Sequence, residues 1–243
     1  MKAVGIIPAR YASTRFPGKP LALIEGKPMI WWVYNKAKVV RELEAIYVAT
    51  DDDRIFQTCE QLQIPVLMTF NQHPTAIHRL HEVSQKITAD FYVQINGDEP
   101  LIDVRAVQAV IPETVLPSGE FGTNVVTPVK SPVELLDPSN IKVVFDNDFN
   151  AVYMSRTPIP NPYKTLDFVY YKHVGVIGYN KKMLEFYTLS VPGRLETIEG
   201  IDILRFIDYK KQLKIKVVEG IENLSVDTEK DLELIRKKMS VED

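Results

Sequence analysis

Arg10, Arg15 and Lys19 fall within ten residues of one another, in the run PARYASTRFPGKP that follows the apolar stretch AVGII. Arginine forks bind phosphate oxygens in pairs, lysine acts as a mobile point charge, and backbone N–H groups fill the gaps between them. A loop of this kind cradles a polyphosphate. It is not a Walker loop, because the order G-x-x-x-x-G-K-[ST] is absent, and the plain alternative is a solvated basic loop. A second signal is Asp98 in the run NGDEP, directly after the apolar run FYVQI. One or two carboxylates facing phosphates are what Mg²⁺ needs, since phosphate and water complete its octahedron. The alternative for Asp98 is a helix cap, a task that Asp103 suits better. Asp227, in VDTEKD, offers another carboxylate, but its spacing to Lys230 and Asp231 reads more simply as the cap of a closing helix.

The elements that must position these residues follow from periodicity. Short runs rich in Val, Ile, Tyr and Phe at 3–7, 45–49, 64–68 and 91–95 read as buried strands. Between them, segments such as 28–41 space Met29, Ile30, Val33, Ala37 and Val40 at helical intervals. Alternating strand and helix implies an α/β protein with a parallel sheet covered on both faces. Ligands of such sheets bind beyond the carboxyl ends of the strands, which points to the loops after Ile7, Ala49 and Ile95. Farther on, 141–145 and 151–155 flank Asp146, Asn147 and Asp148 and predict a hairpin. A proline-bearing loop follows at 157–164, then a tyrosine-rich strand at 170–179, a helix at 195–208, a strand at 213–218 and an amphipathic helix at 228–239. No repeat or linker interrupts the chain, so residues 1–243 read as one domain with an inserted hairpin region at about 129–165.

Composition narrows the function. Twenty-nine basic against 32 acidic residues give a net charge of −3, which leaves no global basic excess for nucleic acid or an anionic membrane. An anionic ligand must therefore be held by a local cluster. No stretch approaches the about 18 consecutive apolar residues of a membrane span. The single Cys59 cannot close an internal disulfide, and the first residues lack a signal peptide's apolar core, so a cytoplasmic location is expected.

The run GIIPARYASTRFPGKPL, followed in order by NGDEPLI, KHVGVIGY and NLSVDTEKDLE, resembles the CMP-Kdo synthetase family over nearly the whole chain. These are cytidylyltransferases that activate 3-deoxy-manno-octulosonate (Kdo). The resemblance implies a Rossmann-like nucleotide-diphospho-sugar transferase fold and a homodimer formed partly through the hairpin region. It implies a reaction in which CTP and a 2-keto sugar acid give a CMP-sugar and pyrophosphate, in surface polysaccharide synthesis. By the same resemblance Ala9, Arg10, Arg15 and Lys19 bind the nucleotide, with Thr75 and Arg79 as further contacts. Asp98 and Asp227 share Mg²⁺, which reverses the capping preference at Asp227. Asn96, Arg156, His173, Tyr179, Glu199 and Asp202 face the sugar acid. Lys19, Arg10 and the two acids would stabilise charge building on the transferring and leaving oxygens.

Three segments depart from the family pattern. His73–Arg79 stands where the family has H-x-S-G-T-E-R, Asn96 replaces a Gln, and Glu199–Arg205 carries Asp202 and Ile203 in place of Glu and Gln. The changes fall mainly on the sugar side, so a modified acceptor such as 8-amino-Kdo is expected; a sialic-type or phosphonate acid, or a weakly active nucleotide-binding regulator, are the alternatives. His78 and His81 lack a third close ligand and do not complete a metal site. Cys59 reads as inert packing, Trp31 and Trp32 as core or dimer contacts, and Asp51, Asp52 and Asp53 as a helix cap.

Overall fold

In a computed structural model, residues 1–240 are described except Thr14, in the cationic loop, and Asn223, in the C-terminal motif. The chain begins with β1 (Ala3–Ala9), a small hairpin of β2 (Leu23–Ile24) and β3 (Lys27–Pro28), and α1 (Met29–Lys38). Then come β4 (Leu43–Thr50), α2 (Asp53–Gln61), β5 (Val66–Met68), α3 (Ala76–Lys86), β6 (Phe91–Ile95), α4 (Val104–Ala109) and β7 (Phe121–Pro128). The second half holds α5 (Pro132–Leu136), β8 (Lys142–Phe145), β9 (Ala151–Ser155), β10 (Tyr171–Asn180), α6 (Lys181–Leu189), α7 (Arg194–Glu199), α8 (Leu204–Asp208), β11 (Gln212–Val217) and α9 (Glu229–Met239).

The main sheet runs β11-β7-β10-β6-β1-β4-β5, with β8 and β9 attached beside β10. β1 pairs in parallel with both β4 and β6, and β4 with β5. Along that path only β10 opposes its neighbours, running antiparallel to β6 and β7, so the expected mainly parallel α/β sheet is present. Apolar side chains on one face, among them Ile7, Val48, Val93 and Val125, pack against α1, α2 and α4. Those on the other, including Ile6, Tyr92, Tyr179 and Ile215, pack against α3, α6 and α8. No helix among the described residues is long and apolar enough to cross a membrane.

The strands foreseen at 91–95 and 151–155 stand at those bounds, and the hairpin turns at Asp146, whose Oδ1 accepts from the N–H groups of Asp148 and Asn150. Two expectations change. The helix read over 195–208 is two short helices, because Gly200 takes φ 62 and ends α7, a left-handed conformation that glycine adopts at no steric cost. A strand next to the sheet edge, β7, was not foreseen. Its sequence FGTNVVTP interrupts the apolar pattern with Gly122, Thr123 and Asn124, yet every residue but the last is buried; Thr123 donates to the Val110 carbonyl at 2.5 Å and Asn124 to those of Val174 and Val176, while the buried Thr127 hydroxyl has no hydrogen-bond partner among the described residues.

Candidate active site

β1 and β6 end side by side, and their carboxyl ends open into a cleft of about 360 Å³ lined by Ala9, Arg10, Lys19, Thr75, Asn96 and Asp98 among others. The cationic loop is shaped locally. The Gly18 N–H donates to the Tyr11 carbonyl at 2.8 Å, closing the loop, and a three-residue 3₁₀ turn then presents Lys19. Arg54 from the start of α2 stacks 3.2 Å above the Tyr11 ring, which braces the loop from outside. Arg10 donates to the His73 carbonyl at 2.6 Å, and burial, with the neighbouring Arg79, lowers its affinity for its proton.

Lys19 is the meeting point of the two acids. Its Nζ lies 2.7 Å from Asp98 Oδ2 and 3.5 Å from Asp227 Oδ1, and Arg15 reaches the same Asp227 oxygen at 3.0 Å. The backbone fixes this convergence, since the Val226 N–H donates to the Asp98 carbonyl at 2.8 Å and Val226 is buried beneath α9 beside Ile24 and Leu232. The capping of α9 is done by Thr228 and Asp231: the Thr228 hydroxyl accepts from the Asp231 N–H, and Asp231 Oδ2 accepts from the N–H groups of Thr228 and Asp227. That capping box leaves the Asp227 carboxylate to Lys19 and Arg15, against the capping role that spacing alone favoured. Asp103 caps α4 as expected, accepting from the Arg105 N–H at 2.8 Å. Asp98 Oδ1 is buried and has no hydrogen-bond partner among the described residues.

Asn96 also lines a second cavity of about 200 Å³, whose wall includes Gln94, His173, Tyr179 and Asp202 with isoleucines 77, 141, 177, 201 and 203. Gln94 donates to Asn96 Oδ1 at 3.1 Å. Glu99, fully buried, hydrogen-bonds with the Asn96 side chain, and burial together with Asp98 pushes its carboxyl up to about 8. Gly175 of β10 approaches so closely that a Cβ there would lie 2.0 Å from Glu99 Oε1 and 2.3 Å from Asn96 Nδ2, so only glycine leaves this amide in place. His173 Nδ1 lies 3.0 Å from Asn124 Oδ1, and burial lowers the ring to about 4, which makes it neutral at physiological pH. Burial raises the Tyr179 hydroxyl well above its ordinary value. Asp202 is raised first by burial and then by Glu196.

Three residues assigned to ligands by resemblance make hydrogen bonds within the protein. Arg79 is fully buried and bonds Thr69 and, at 2.7 Å, Asp51 Oδ2. It is not among the residues lining the cleft, its Nε has no hydrogen-bond partner among the described residues, and Asp51 is its ion-pair partner where a helix cap was expected; Asp52 is the cap of α2. Arg156 donates to the carbonyls of Glu199, Pro138 and Gly200 at 2.9, 3.0 and 3.1 Å. Glu199 accepts from Ser155 at 2.7 Å, Tyr153 at 3.0 Å and the Arg156 N–H at 3.0 Å. Arg156 and Glu199 thus lock the hairpin onto the turn at Gly200 and shape the second cavity from behind. Thr75 bonds His78 at 3.0 Å, and no cluster of three metal-ligating side chains forms among the described residues. Cys59 is buried, its thiol pushed up to about 12 by burial, in keeping with inert packing. Gln94 escaped the sequence reading; one polar residue inside the run FYVQI was the available signal.

Residues 4–223 match the cytidylyltransferase family. The 8-amino-3,8-dideoxy-manno-octulosonate cytidylyltransferases of Shewanella woodyi and Shewanella frigidimarina are 37% and 38% identical to this chain over 246 aligned positions, covering the whole of each protein. A solved structure of CMP:2-keto-3-deoxy-manno-octonic acid synthetase complexed with CTP superimposes with a TM-score of 0.92 at 36% identity, again with both chains fully covered. The site built on β1, β6 and β10 and the full-length likeness agree: this chain belongs to the cytidylyltransferase family and groups within it with the CMP-Kdo synthetases.

Proposed function

We propose that this enzyme joins CTP to a 2-keto-3-deoxy sugar acid of the Kdo type, in its ordinary or 8-amino form, giving the CMP-sugar and pyrophosphate. The convergence of Asp98, Asp227, Lys19 and Arg15 beside a cleft that shares Asn96 with a second cavity carries this reading. The triphosphate would lie along Arg10, Arg15 and Lys19, with the acceptor between Asn96, His173 and Asp202. The anomeric hydroxyl oxygen forms a bond to the α-phosphorus while the bond to the β-phosphate bridge breaks; pyrophosphate leaves with the electron pair and the hydroxyl proton is released. Lys19 and the arginines stabilise the charge that builds on the leaving oxygens. The neutral His173 and the Asn96 amide, held between Gln94 and Glu99, orient the acceptor without repelling its carboxylate.

Asp98 and Asp227 would hold Mg²⁺. The fit rests on the buried Asp98 Oδ1 without a partner and on two carboxylates within reach of a single ammonium; two protein ligands suffice for an ion that takes the rest from phosphate and water. When bound it neutralises phosphate charge. A pyrophosphate-release assay with CTP, Mg²⁺ and a panel comprising Kdo, its 8-amino form, a sialic-type acid and a phosphonate tests the reading. Turnover is expected with the first two, and turnover confined to the others, or none at all, would overturn it.

The hairpin region supports a homodimer. In and just after it, Val133, Leu136, Tyr163 and Leu166 are between 70% and 89% exposed, and Val152 and Val169 are about half exposed, apolar surface that a partner copy would cover. Light scattering is expected to return twice the chain mass, and replacing Val133 and Leu136 by Lys to shift it toward the single chain; a wild type that runs as a monomer would contradict this. The enzyme would work in the cytoplasm, where CTP is available and Cys59 stays reduced.

A further inference from the structure

We propose that Asp202 selects an acceptor that carries an ammonium group, by pairing its carboxylate with that cation inside the second cavity; this rests on the acceptor reading above. Three titratable side chains line the cavity, His173, Tyr179 and Asp202. Two of them stay uncharged at neutral pH, His173 because burial holds it at about 4 and Tyr179 because burial raises it far above its ordinary value. Among the described residues, no lysine or arginine lines the wall. The nearby guanidiniums are engaged elsewhere. Arg205 forks onto both oxygens of Glu196 at 2.6 and 2.7 Å, and Arg156 is taken by three backbone carbonyls. Arg10 lines the nucleotide cleft, bonds the His73 carbonyl and reaches Asp202 through space alone.

Asp202 therefore brings a negative charge to a wall otherwise made of amides, neutral rings and isoleucines. Its carboxylate accepts no hydrogen bond from a described residue. The residue as a whole is reached by solvent, yet its surroundings are dense enough to raise its carboxyl. An unpartnered acid so placed favours a cationic partner over a neutral one. The acceptor acids are charged to match. Their carboxylate adjoins the reacting carbon, at the cation-rich cleft, whereas an 8-amino group sits at the opposite end of the sugar chain, and Asp202 lines only the cavity beyond Asn96. With a hydroxyl at that end, the pairing is an ordinary hydrogen bond.

The test is the ratio of kcat/KM for 8-amino-Kdo to that for Kdo, measured with CTP in wild type, Asp202→Asn and Asp202→Glu. Wild type is expected to favour the amino acid. Asp202→Asn should cut the ratio about tenfold, the difference between a charge-assisted and a neutral hydrogen bond, while Asp202→Glu retains more of the preference than the amide does. An unchanged ratio in Asp202→Asn, or an equal loss on both acids in a variant that still binds CTP, would overturn the assignment. A wild type that prefers Kdo overturns it too. If wild type turns over neither acid, the acceptor reading itself has failed, an outcome distinct from an active enzyme whose preference ignores residue 202.

Discussion

Exchanging Asp98 for Asn is expected to lower cytidylyl transfer by about 100- to 1000-fold, the usual cost of removing one electrostatic element from a phosphoryl or acyl transfer site. Asparagine keeps the shape and drops the charge, so the effect isolates what the carboxylate does. Affinity for CTP should change far less, because Arg10, Arg15 and Lys19 still face the triphosphate, and Lys19 keeps Asp227 at 3.5 Å. The variant Asp227→Asn should behave alike, and the double variant should lose little more than either single one, since groups acting as a unit are not additive. Pyrophosphate release at saturating substrates reports the first quantity and calorimetric titration with CTP the second. Equal losses in rate and affinity would mean that the two acids only tether the cationic loop.

Arg205→Met should destabilise the fold by about 3–5 kcal/mol, the cost of leaving a buried partner charge unpaired. Both side chains are buried; the guanidinium bonds Glu196 twice, donates to the carbonyls of Tyr187 and Ser190 at 2.8 and 3.0 Å, and stacks 3.8 Å from the Tyr187 ring. Thermal unfolding is the measurement, with a fall of about 10 °C expected for a chain of this length. Adding Glu196→Gln should recover part of the loss, as a double-mutant cycle reveals when two sites share one interaction. A single variant that melts with the wild type would show that the pair is dispensable. The effect reaches the second cavity because Glu196 is on α7 and Arg205 on α8, and the turn between them, Gly200 to Ile203, lines it.

The N-terminal half of the site was legible in the sequence because its determinants are local. Cations, a proline-stiffened loop and the strand before them occupy one continuous run, and periodicity gave β1, β4 and β6 with their intervening helices. The place of Asp227 was not legible from spacing: two acids far apart in the chain are brought together where the Val226 N–H meets the Asp98 carbonyl and Lys19 reaches both, and Thr228 with Asp231 supplies a capping signal that hides the neighbouring acid. Residue type also left the intramolecular partners of Arg79, Arg156 and Glu199 unread. A guanidinium has donors enough for phosphate or for backbone carbonyls, and nothing in the sequence shows which partners are near. β7 was hidden because a strand buried on both faces can carry polar residues such as Thr123 and Asn124 when their hydrogen bonds are met inside.

Asn96 is the residue common to the two cavity walls. One wall comes from segments before residue 100, the other largely from segments after 140. The two walls therefore draw on largely different stretches of the chain, while Asp227 returns from the C-terminal end to Lys19 and Arg15; an exchange between relatives confined to residues 141–203 is expected to alter the second cavity and leave both acids and the cationic loop in place.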